Sequence, residues 1–350
     1  MDVRQLEYFL AVVDNGGVNR AALALHVAQP SLSQSIRRLE SELDTELFHR
    51  VGRGLVLAQA GEALVGPARQ VLRDIESANA AVRDVRDLRR GRVDIAALSD
   101  MSTDPLSVWV ARFRVEYPDM FVRVEEREDV AGVVELVKSG ACELGVTTLP
   151  QAQRDIVGHP VVTQTFVLVL PPGTESELPD PVPIAVLSEL PLIMGERRTA
   201  NRDHIERMLR GHGVEPRVAV EVPQRGAVVP MVLSGAGAAI LPLRVALEAH
   251  QRGAVVMEIG PAASREVGVI HRPGRMTEAA TEFMAKSEKL VQQWEAAIDR
   301  HMKQGHGSVE SAVLTAEAVE RRNQEGFRAR SPLLHRRDGS NATDRRLQSE

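Results

Sequence analysis

Eight polar side chains near the start of the chain have the types and spacing suited to binding DNA. They are Gln29, Ser31, Ser33, Gln34, Arg37, Arg38, Arg50 and Arg53. Amide, hydroxyl and guanidinium groups hydrogen-bond to base edges in the major groove, and arginines also contact phosphates. We therefore expect these residues to bind double-stranded DNA, provided that the fold places them on one surface.

The segment 19–38 has the pattern of a helix-turn-helix, in which the second helix carries most of these side chains. Asn19 can cap a short helix, and Pro30 suits the first turn of the next one. An apolar stripe at spacings of 4, 3 and 4 is formed by Leu32, Ile36, Leu39 and Leu43. At about 100° per residue, Ser33, Gln34, Arg37 and Arg38 lie roughly opposite that stripe. The alternative is the solvated face of an ordinary helical hairpin.

The flanking segments favour the DNA-binding interpretation. Upstream, apolar residues between positions 3 and 13 predict a first helix that packs under the other two. Downstream, Arg50 and Arg53 flank a glycine-punctuated turn between two short apolar runs, which is typical of a β-hairpin. Such a hairpin, or wing, would bring its arginines to the DNA backbone beside the second helix.

Residues 1–61 resemble the winged helix-turn-helix of the LysR-type transcriptional regulators. The matching residues are Leu6, Phe9, Ala21, Ala22, Gln29, Pro30, Ser33, Leu39, Glu40, Leu43, Leu47, Phe48, Arg50, Leu57, Ala60 and Gly61. Two departures stand out: Ala28 occupies the capping position where the family usually has Ser or Thr, and Asp44 replaces a common Gly. The resemblance implies promoter binding by a homodimer or homotetramer.

Residues 59–90 predict a linker helix with a repeat of 3.5 residues. Its apolar positions are Leu64, Ala68, Val71, Ile75, Ala78, Val82 and Val85. This period is typical of a coiled coil that would pair two subunits and hold two recognition helices about one DNA turn apart. The alternative is a helix that packs on its own domain.

From residue 91 the pattern alternates between strands and helices, which predicts parallel α/β structure. Two such lobes resemble the periplasmic-binding-protein-like effector domain of the same family, and the likeness covers residues 1–298. The predicted fold is therefore α/β, with a winged helix-turn-helix (1–58), a linker helix (59–90) and a two-lobed effector domain (91–300). Lobe I covers about 91–160 and 266–300, and lobe II covers about 161–265.

A small-molecule effector is expected between the lobes, where strands end and helices begin. By their positions and by the family resemblance, the candidate effector-binding residues are Ser99, Ser102, Thr147 and Thr199. Oriented N–H groups and nearby arginines indicate an anionic effector. The alternative is that these hydroxyls only cap turns.

Composition and the single cysteine limit how this protein could bind DNA, respond to oxidation or associate with a membrane. A formal net charge of −5 excludes a generally basic coat, so DNA binding must depend on the local arginine cluster. Cys142 is the one cysteine, which excludes an intramolecular disulfide switch and favours a core residue. No apolar run is long enough to span a membrane, and the first residues lack a signal peptide's apolar core, so we expect a cytoplasmic, nucleoid-associated bacterial protein.

The sequence favours a regulator over two other classes of protein. It has no phosphate-binding loop, zinc-ligand cluster or nucleophile elbow, so we expect neither an enzyme nor a metal or cofactor site. A solute-binding protein is the other alternative that the two-lobed domain allows. Residues 301–350 are polar and predict a disordered tail with a transient helix around 310–322.

Overall fold

The computed structural model describes residues 1–51, 54–83, 91–149, 155–174 and 178–330. Three helices form the N-terminal domain: α1 (Val3–Asp14), α2 (Val18–Ala24) and α3 (Gln29–Leu43). Their shared core includes Phe9, Leu32 and Leu39, which are fully buried. Strands β1 (Phe48–Val51) and β2 (Gly54–Leu57) follow as an antiparallel hairpin, with the Phe48 ring 5.5 Å from that of Phe9. The predicted winged helix-turn-helix is confirmed.

Two local details differ from the sequence-based expectation. Asn19 lies inside α2, which begins after Gly17, because Gly17 has a backbone conformation (φ 151°) that few other residues adopt. Leu43 is 37% exposed at the last turn of α3, where the core no longer covers the helix. The two departures from the family pattern have visible consequences: Ala28 gives α3 no side-chain cap, and Asp44 ends it in the left-handed region.

Helix α4 (Gln59–Arg83) packs partly on its own N-terminal domain. Val65 and Ala68 are buried against that domain's core, and Leu64 is packed at its edge. Leu64 and Ala68, the first two positions of the predicted repeat, therefore serve the intramolecular core. Val71 is 39% exposed. The side chains of Ala78 and Val82, and the whole of Val85, lie outside the described residues.

Lobe I is built on three parallel strands, β3 (Arg92–Leu98), β4 (Phe121–Arg127) and β5 (Leu144–Thr148), with β3 in the middle. The helices between them are α5 (Ser99–Met101), α6 (Ser107–Glu116) and α7 (Val130–Lys138). Strand β3 is buried on both faces after its first residue, as its apolar sequence predicts.

Lobe II follows the long strand β6 (Val157–Leu170) and is built from short strands and helices. The strands are β7 (Val182–Pro183), β8 (Leu192–Gly195), β9 (Val218–Val222) and β10 (Ala239–Pro242). The helices are α8 (Ala200–Gly211), α9 (Val228–Leu233) and α10 (Leu243–Gln251).

Two long strands join the lobes. Strand β11 (Val255–His271) pairs antiparallel with β6 over most of its length, and in lobe I it also pairs with β5. The resulting strand order is β10-β6-β11-β5-β3-β4, one mixed sheet that runs through both lobes. Because both strands continue past the lobe boundary, Met257, Ile259 and Ala263 of β11 are buried in the lobe II core while Val267, Val269 and Ile270 are buried in the lobe I core.

The C-terminal residues form a helical hairpin instead of the predicted disordered tail. Helix α11 (Glu278–Met302) starts in the lobe I core, and α12 (Ser308–Arg330) follows after a short turn. In α12, Ser311 and Ala312 are fully buried and Thr315 nearly so, while Val309 packs on the lobe II core. The expectation of disorder is therefore wrong for this segment, because small side chains let α12 lie close to α10 and α11. Residues 331–350 lie outside the described part.

Deleting residues 308–350 should consequently destabilise the effector domain. Removal of α12 exposes the lobe II surface under Val309 and Ala312, which corresponds to a loss of about 1–3 kcal/mol of unfolding free energy. Urea unfolding followed by tryptophan fluorescence measures the change. Deletion of residues 331–350 alone is the control and should leave the transition in place. An unchanged midpoint after the longer deletion would show that α12 contributes nothing to lobe II.

The described part of the chain has neither a membrane-spanning helix nor a cluster of metal-binding side chains. None of its helices is both long and apolar enough to cross a membrane. Within the same residues, no group of three or more His, Cys, Asp and Glu side chains is placed to bind a metal ion.

Cys142 is fully buried, and this burial raises the pKa of its thiol to about 12, so it is a protonated core side chain.

Candidate functional site

Helix α3 presents a polar face to solvent, as predicted. Gln29, Ser31, Gln34, Arg37 and Arg38 are exposed, and Ser33 is half-buried. The buried stripe on the opposite side anchors the helix to the core. The amide of Gln29 donates to the hydroxyl of Ser33 (2.8 Å), which orders the first turn of this face. Hydrogen-bonding side chains therefore project from one helix, as major-groove recognition requires.

The wing is attached directly to α3. The carboxylate of Glu40 accepts hydrogen bonds from the backbone N–H groups of Leu47 (2.9 Å) and Phe48 (3.3 Å), where β1 begins. Arg50 lies in β1 opposite Leu55 of β2. The side chain of Arg50, and the whole of Arg53, are outside the described residues. The Glu40 contacts hold the wing and the recognition helix as one unit.

Of the four predicted effector residues, two have hydroxyls that are hydrogen-bonded within the protein and two have hydroxyls without such a partner among the described residues. Ser99 follows β3, and its hydroxyl donates to the carboxylate of Glu128 (2.7 Å). Thr199 caps α8: its hydroxyl accepts from the N–H of Arg202 (3.3 Å) and donates to the carbonyl of Glu196 (2.9 Å). Ser102 and Thr147, by contrast, have buried hydroxyl oxygens with no hydrogen-bond partner among the described residues.

Glu128 brings Ser99 of lobe I and the start of α8 in lobe II to the same place. Its side chain accepts from Ser99, and its backbone carbonyl accepts from the N–H of Ala200 (2.8 Å). Ser99 and Thr199 therefore lie on opposite sides of the boundary between the two lobes, which is called the inter-lobe cleft below. The hydrogen bonds of Thr199 at the start of α8 agree with the alternative interpretation, in which the hydroxyl caps the helix and does not bind a ligand.

Charged side chains that sequence reasoning missed cross this cleft. Arg225 of lobe II lies 2.9 Å from the Glu128 carboxylate and 3.3 Å from that of Asp100, both in lobe I. Arg265 of β11 donates to the other oxygen of Asp100. Both side chains are nearly buried, Arg265 with 3% and Asp100 with 8% of its side-chain surface exposed, and burial strengthens the interaction between the two charges.

A polar chain continues from Arg265 away from the cleft. Its guanidinium donates to the side-chain oxygen of Gln164 (2.8 Å), whose amide donates to the Asp104 carboxylate (3.0 Å). Asp104 in turn accepts from Arg244 of α10 (2.8 Å). The chain from Asp100 to Arg244 thus links both lobes through the strands that connect them.

Several buried polar atoms around the cleft lack a hydrogen-bond partner among the described residues. They are Ser102 Oγ, Thr147 Oγ1, Asn201 Oδ1, His204 Nε2 and Arg265 Nη1; Asp100 Oδ1 and Arg225 Nη1 lack a well-aligned hydrogen bond but form the 3.3 Å ion pair with each other. Each such atom costs free energy when no group satisfies it. Their concentration beside Asp100, Arg225 and Arg265 is the arrangement expected of a site that a polar ligand completes.

His204 of α8 is held neutral in this environment. Its ring lies 5.0 Å from that of Phe166, and the Arg265 guanidinium is 5.1 Å from the same Phe166 ring. Burial and the nearby positive charge of Arg265 lower the pKa of His204 to about 4. At neutral pH the ring therefore carries no charge.

Stability should decrease as the pH falls from about 6.5 to 4, partly because of His204. In this window the unfolded chain binds a proton at an ordinary histidine, whereas the folded chain does not, so acid favours unfolding. Replacement by His204→Asn should flatten the pH dependence of the unfolding free energy in this range. Urea unfolding at several pH values measures it, with exposed His250→Asn as the control. Equal slopes for both variants would contradict a buried neutral His204.

The missed residues share one property: they are distant in sequence. Asp100, Glu128, Arg225 and Arg265 come from four separate elements, and no local spacing connects them. The hydroxyl residues were predicted because they follow strand ends or precede a helix. One available signal was the charge of Asp100, which lies between two of the predicted serines.

Two family models match the chain. The model described as bacterial regulatory helix-turn-helix protein, lysR family, matches residues 3–62. The model described as LysR substrate binding domain matches residues 86–289, more than half of the chain. The two matches are separated by most of the linker helix and leave most of the C-terminal hairpin outside.

Curated relatives and solved structures agree with these matches. The nitrogen assimilation regulatory protein nac of Klebsiella aerogenes is 28% identical over 69% of this chain and 78% of its own length. The probable HTH-type transcriptional regulator LrrA of Synechococcus elongatus is 31% identical over 69% of this chain and 81% of its own. A full-length variant of OxyR from Pseudomonas aeruginosa has a TM-score of 0.66 at 21% identity, covering 83% of this chain and 95% of its own. Full-length CbnR in complex with its target DNA has a TM-score of 0.57 at 22% identity, covering 83% and 99%.

Proposed function

This chain belongs to the LysR family of bacterial transcriptional regulators, and from that premise we propose which surfaces bind DNA, effector and a second subunit. It is a DNA-binding regulator rather than an enzyme. The face of α3 formed by Gln29, Ser31, Ser33, Gln34, Arg37 and Arg38 is the proposed reader of promoter bases. Arg50 and Arg53 of the wing are the proposed contacts to the DNA backbone.

The inter-lobe cleft is the proposed site of a small anionic effector. Arg225 carries this proposal, because it crosses from lobe II to the carboxylates of Asp100 and Glu128. A ligand carboxylate would replace these side-chain carboxylates against Arg225 and satisfy the unpartnered hydroxyls of Ser102 and Thr147. Ser99 and Thr199 flank the same cleft. Breaking the Arg225 contacts changes how the lobes are held, which is how binding would alter regulation.

The test starts with a thermal-shift screen of small carboxylates on the intact chain, followed by calorimetry. For a carboxylate that binds, Arg225→Ala should weaken affinity about 10- to 100-fold, as expected when a charged hydrogen bond is lost. Exposed Arg217→Ala is the matched control and should bind normally. Wild-type affinity in Arg225→Ala would place the effector elsewhere. If no carboxylate changes promoter binding, the anionic effector is wrong.

Two exposed apolar surfaces support a homodimer or homotetramer. On α4, Val71 is exposed and Ile75 is half-buried, in the register of the predicted coiled coil. On lobe I, the edge strand β4 exposes Phe121 (58%) and Val124. Uncovered apolar edges are commonly buried in assemblies. Two separate self-complementary contacts would join four copies.

Replacing Ile75 by aspartate should break the contact between linker helices. A charge at this position would face the apolar seam without a partner, so the paired form loses stability. Sedimentation of the full chain measures the dissociation constant of this contact, which should rise at least tenfold in Ile75→Asp. Exposed Glu62→Gln on the same helix is the control. Equal association of all three proteins would refute the seam.

The family assignment also indicates where in the cell the protein acts. A bacterial DNA-binding regulator acts in the cytoplasm, and association with the nucleoid is part of our proposal. The solute-binding alternative shares the two-lobed architecture. It leaves the helix-turn-helix, matched over residues 3–62, without a role.

A further inference from the structure

A second cavity, of about 740 Å³, lies beside the C-terminal hairpin. Its walls come from α6, β6, the start of α10, the second half of α11 and α12. Asp100, Glu128, Arg225 and Arg265 do not line it, whereas Gln164, Asp104 and Arg244, at the far end of the polar chain, do. The cavity is therefore distinct from the effector cleft and adjoins the chain that leads from it. Its volume is in the range of small-molecule sites in proteins.

One tryptophan lies on each of two cavity walls, and Trp109 is nearly buried in the lobe I core whereas Trp294 is half-buried. The protein has two tryptophans, and both Trp109 of α6 and Trp294 of α11 line the cavity. The Arg244 guanidinium lies 4.4 Å from the centre of the Trp294 ring and is paired with Asp104. These contacts hold the Trp294 ring in place and provide a flat surface on which another ring can stack.

The charges that line the cavity cancel. Three arginines and three carboxylates line it: Arg112, Arg244, Arg300, Asp104, Glu295 and Asp299. An ion would therefore lose its hydration without meeting an excess of opposite charge. Hydrogen-bonding capacity remains, because the buried Nδ1 of His301 has no partner among the described residues. The lining suits an uncharged ring with one polar group.

The hairpin that completes the cavity is largely outside the family match. The effector-domain model ends at residue 289, whereas Trp294, His301 and the α12 residues Thr315 and Val319 come later. Without these residues, the groove beside α6 and β6 would be open to solvent. The cavity is thus formed by the segment that extends this chain beyond the matched domain.

We propose that this cavity is a second small-molecule site, which binds an uncharged aromatic molecule against Trp294. The molecule stacks on the Trp294 indole and hydrogen-bonds to His301. The site does not include α3 or the residues Asp100, Glu128, Arg225 and Arg265, so it can be tested separately from the DNA and effector proposals. It shares Gln164, Asp104 and Arg244 with the polar chain that starts at Arg265.

The test is a titration of the intact protein with N-phenyl-1-naphthylamine, an uncharged aromatic probe. Its binding should quench the tryptophan fluorescence at one saturable site. The anionic analogue 8-anilinonaphthalene-1-sulfonate should bind at least tenfold more weakly. Ala297→Phe and Ala318→Phe place a ring at two lining positions, and each should weaken probe binding at least tenfold. Ala111→Phe, an exposed position on α6 outside the lining, is the matched control.

A cleft variant separates this site from the effector site. Arg225→Ala should bind the probe with wild-type affinity if the cavity is the site. Loss of binding in Arg225→Ala, or wild-type binding in both filling variants, would overturn the proposal. Because Ala318 is exposed on α12, Ala318→Phe should fold even if Ala297→Phe does not. Operator binding, measured alongside, should be unchanged by the filling variants, so failure of this proposal leaves the regulatory function standing.

Discussion

Replacing Gln34 or Arg37 by alanine should weaken binding to a specific operator by about 1–3 kcal/mol each, roughly 5- to 150-fold. Both side chains are exposed on α3, opposite the buried stripe of Leu32, Ile36 and Leu39. In a major groove this face meets base edges, where each bidentate contact distinguishes one base pair from another. The stability of the helix should change little, because neither side chain contributes to the core.

The measurement requires an operator, which selection from random duplexes with the wild-type protein provides. Affinity for that operator and for a random duplex is then compared over a salt series. Arg53→Ala should weaken binding to all sequences alike and reduce the salt dependence, as loss of a phosphate contact does. Arg4→Ala, on the exposed side of α1, is the matched control. Unchanged operator affinity in the Gln34 and Arg37 variants would remove α3 as the reading element.

Replacing Arg265 by methionine should cost about 3–5 kcal/mol of unfolding free energy, the largest loss that we expect from one substitution. Arg265 is buried with Asp100, Gln164 and the Phe166 ring around it. Methionine fills similar space but leaves the nearly buried Asp100 carboxylate without this partner, and Gln164 loses a donor. The double variant Asp100→Asn with Arg265→Met should recover part of the loss, since the buried charge is then removed.

Urea unfolding at neutral pH, followed by tryptophan fluorescence, measures this effect. Both tryptophans lie in the effector domain, so the signal reports its unfolding rather than that of the N-terminal domain. Arg217→Met, at an exposed position, is the control. Equal losses for the single and double variants would show that the cost arises from packing. A loss below about 1 kcal/mol would contradict a buried ion pair.

The sequence by itself determined the elements whose patterns are local. Leu32, Ile36 and Leu39 predicted the buried side of α3, and therefore the exposed side that carries Gln34 and Arg37, because a helix repeats every 3.6 residues. The alternation of strands and helices from residue 91 is also local, and the apolar run of β3 (Arg92–Leu98) forms a strand that is buried after its first residue. The sequence also identified Cys142 as a core residue.

Only the tertiary structure decided the contacts between distant elements. Asp100, Glu128, Arg225 and Arg265 meet because β11 and the segment before α9 bring lobe II residues to the end of β3, and no spacing along the chain reports this. The polar composition of the last fifty residues predicted disorder, yet α12 is ordered at Ser311, Ala312 and Thr315. These small side chains bury little surface by themselves. The stability of α12 therefore depends on its packing against α10 and α11, which exists only in the folded protein.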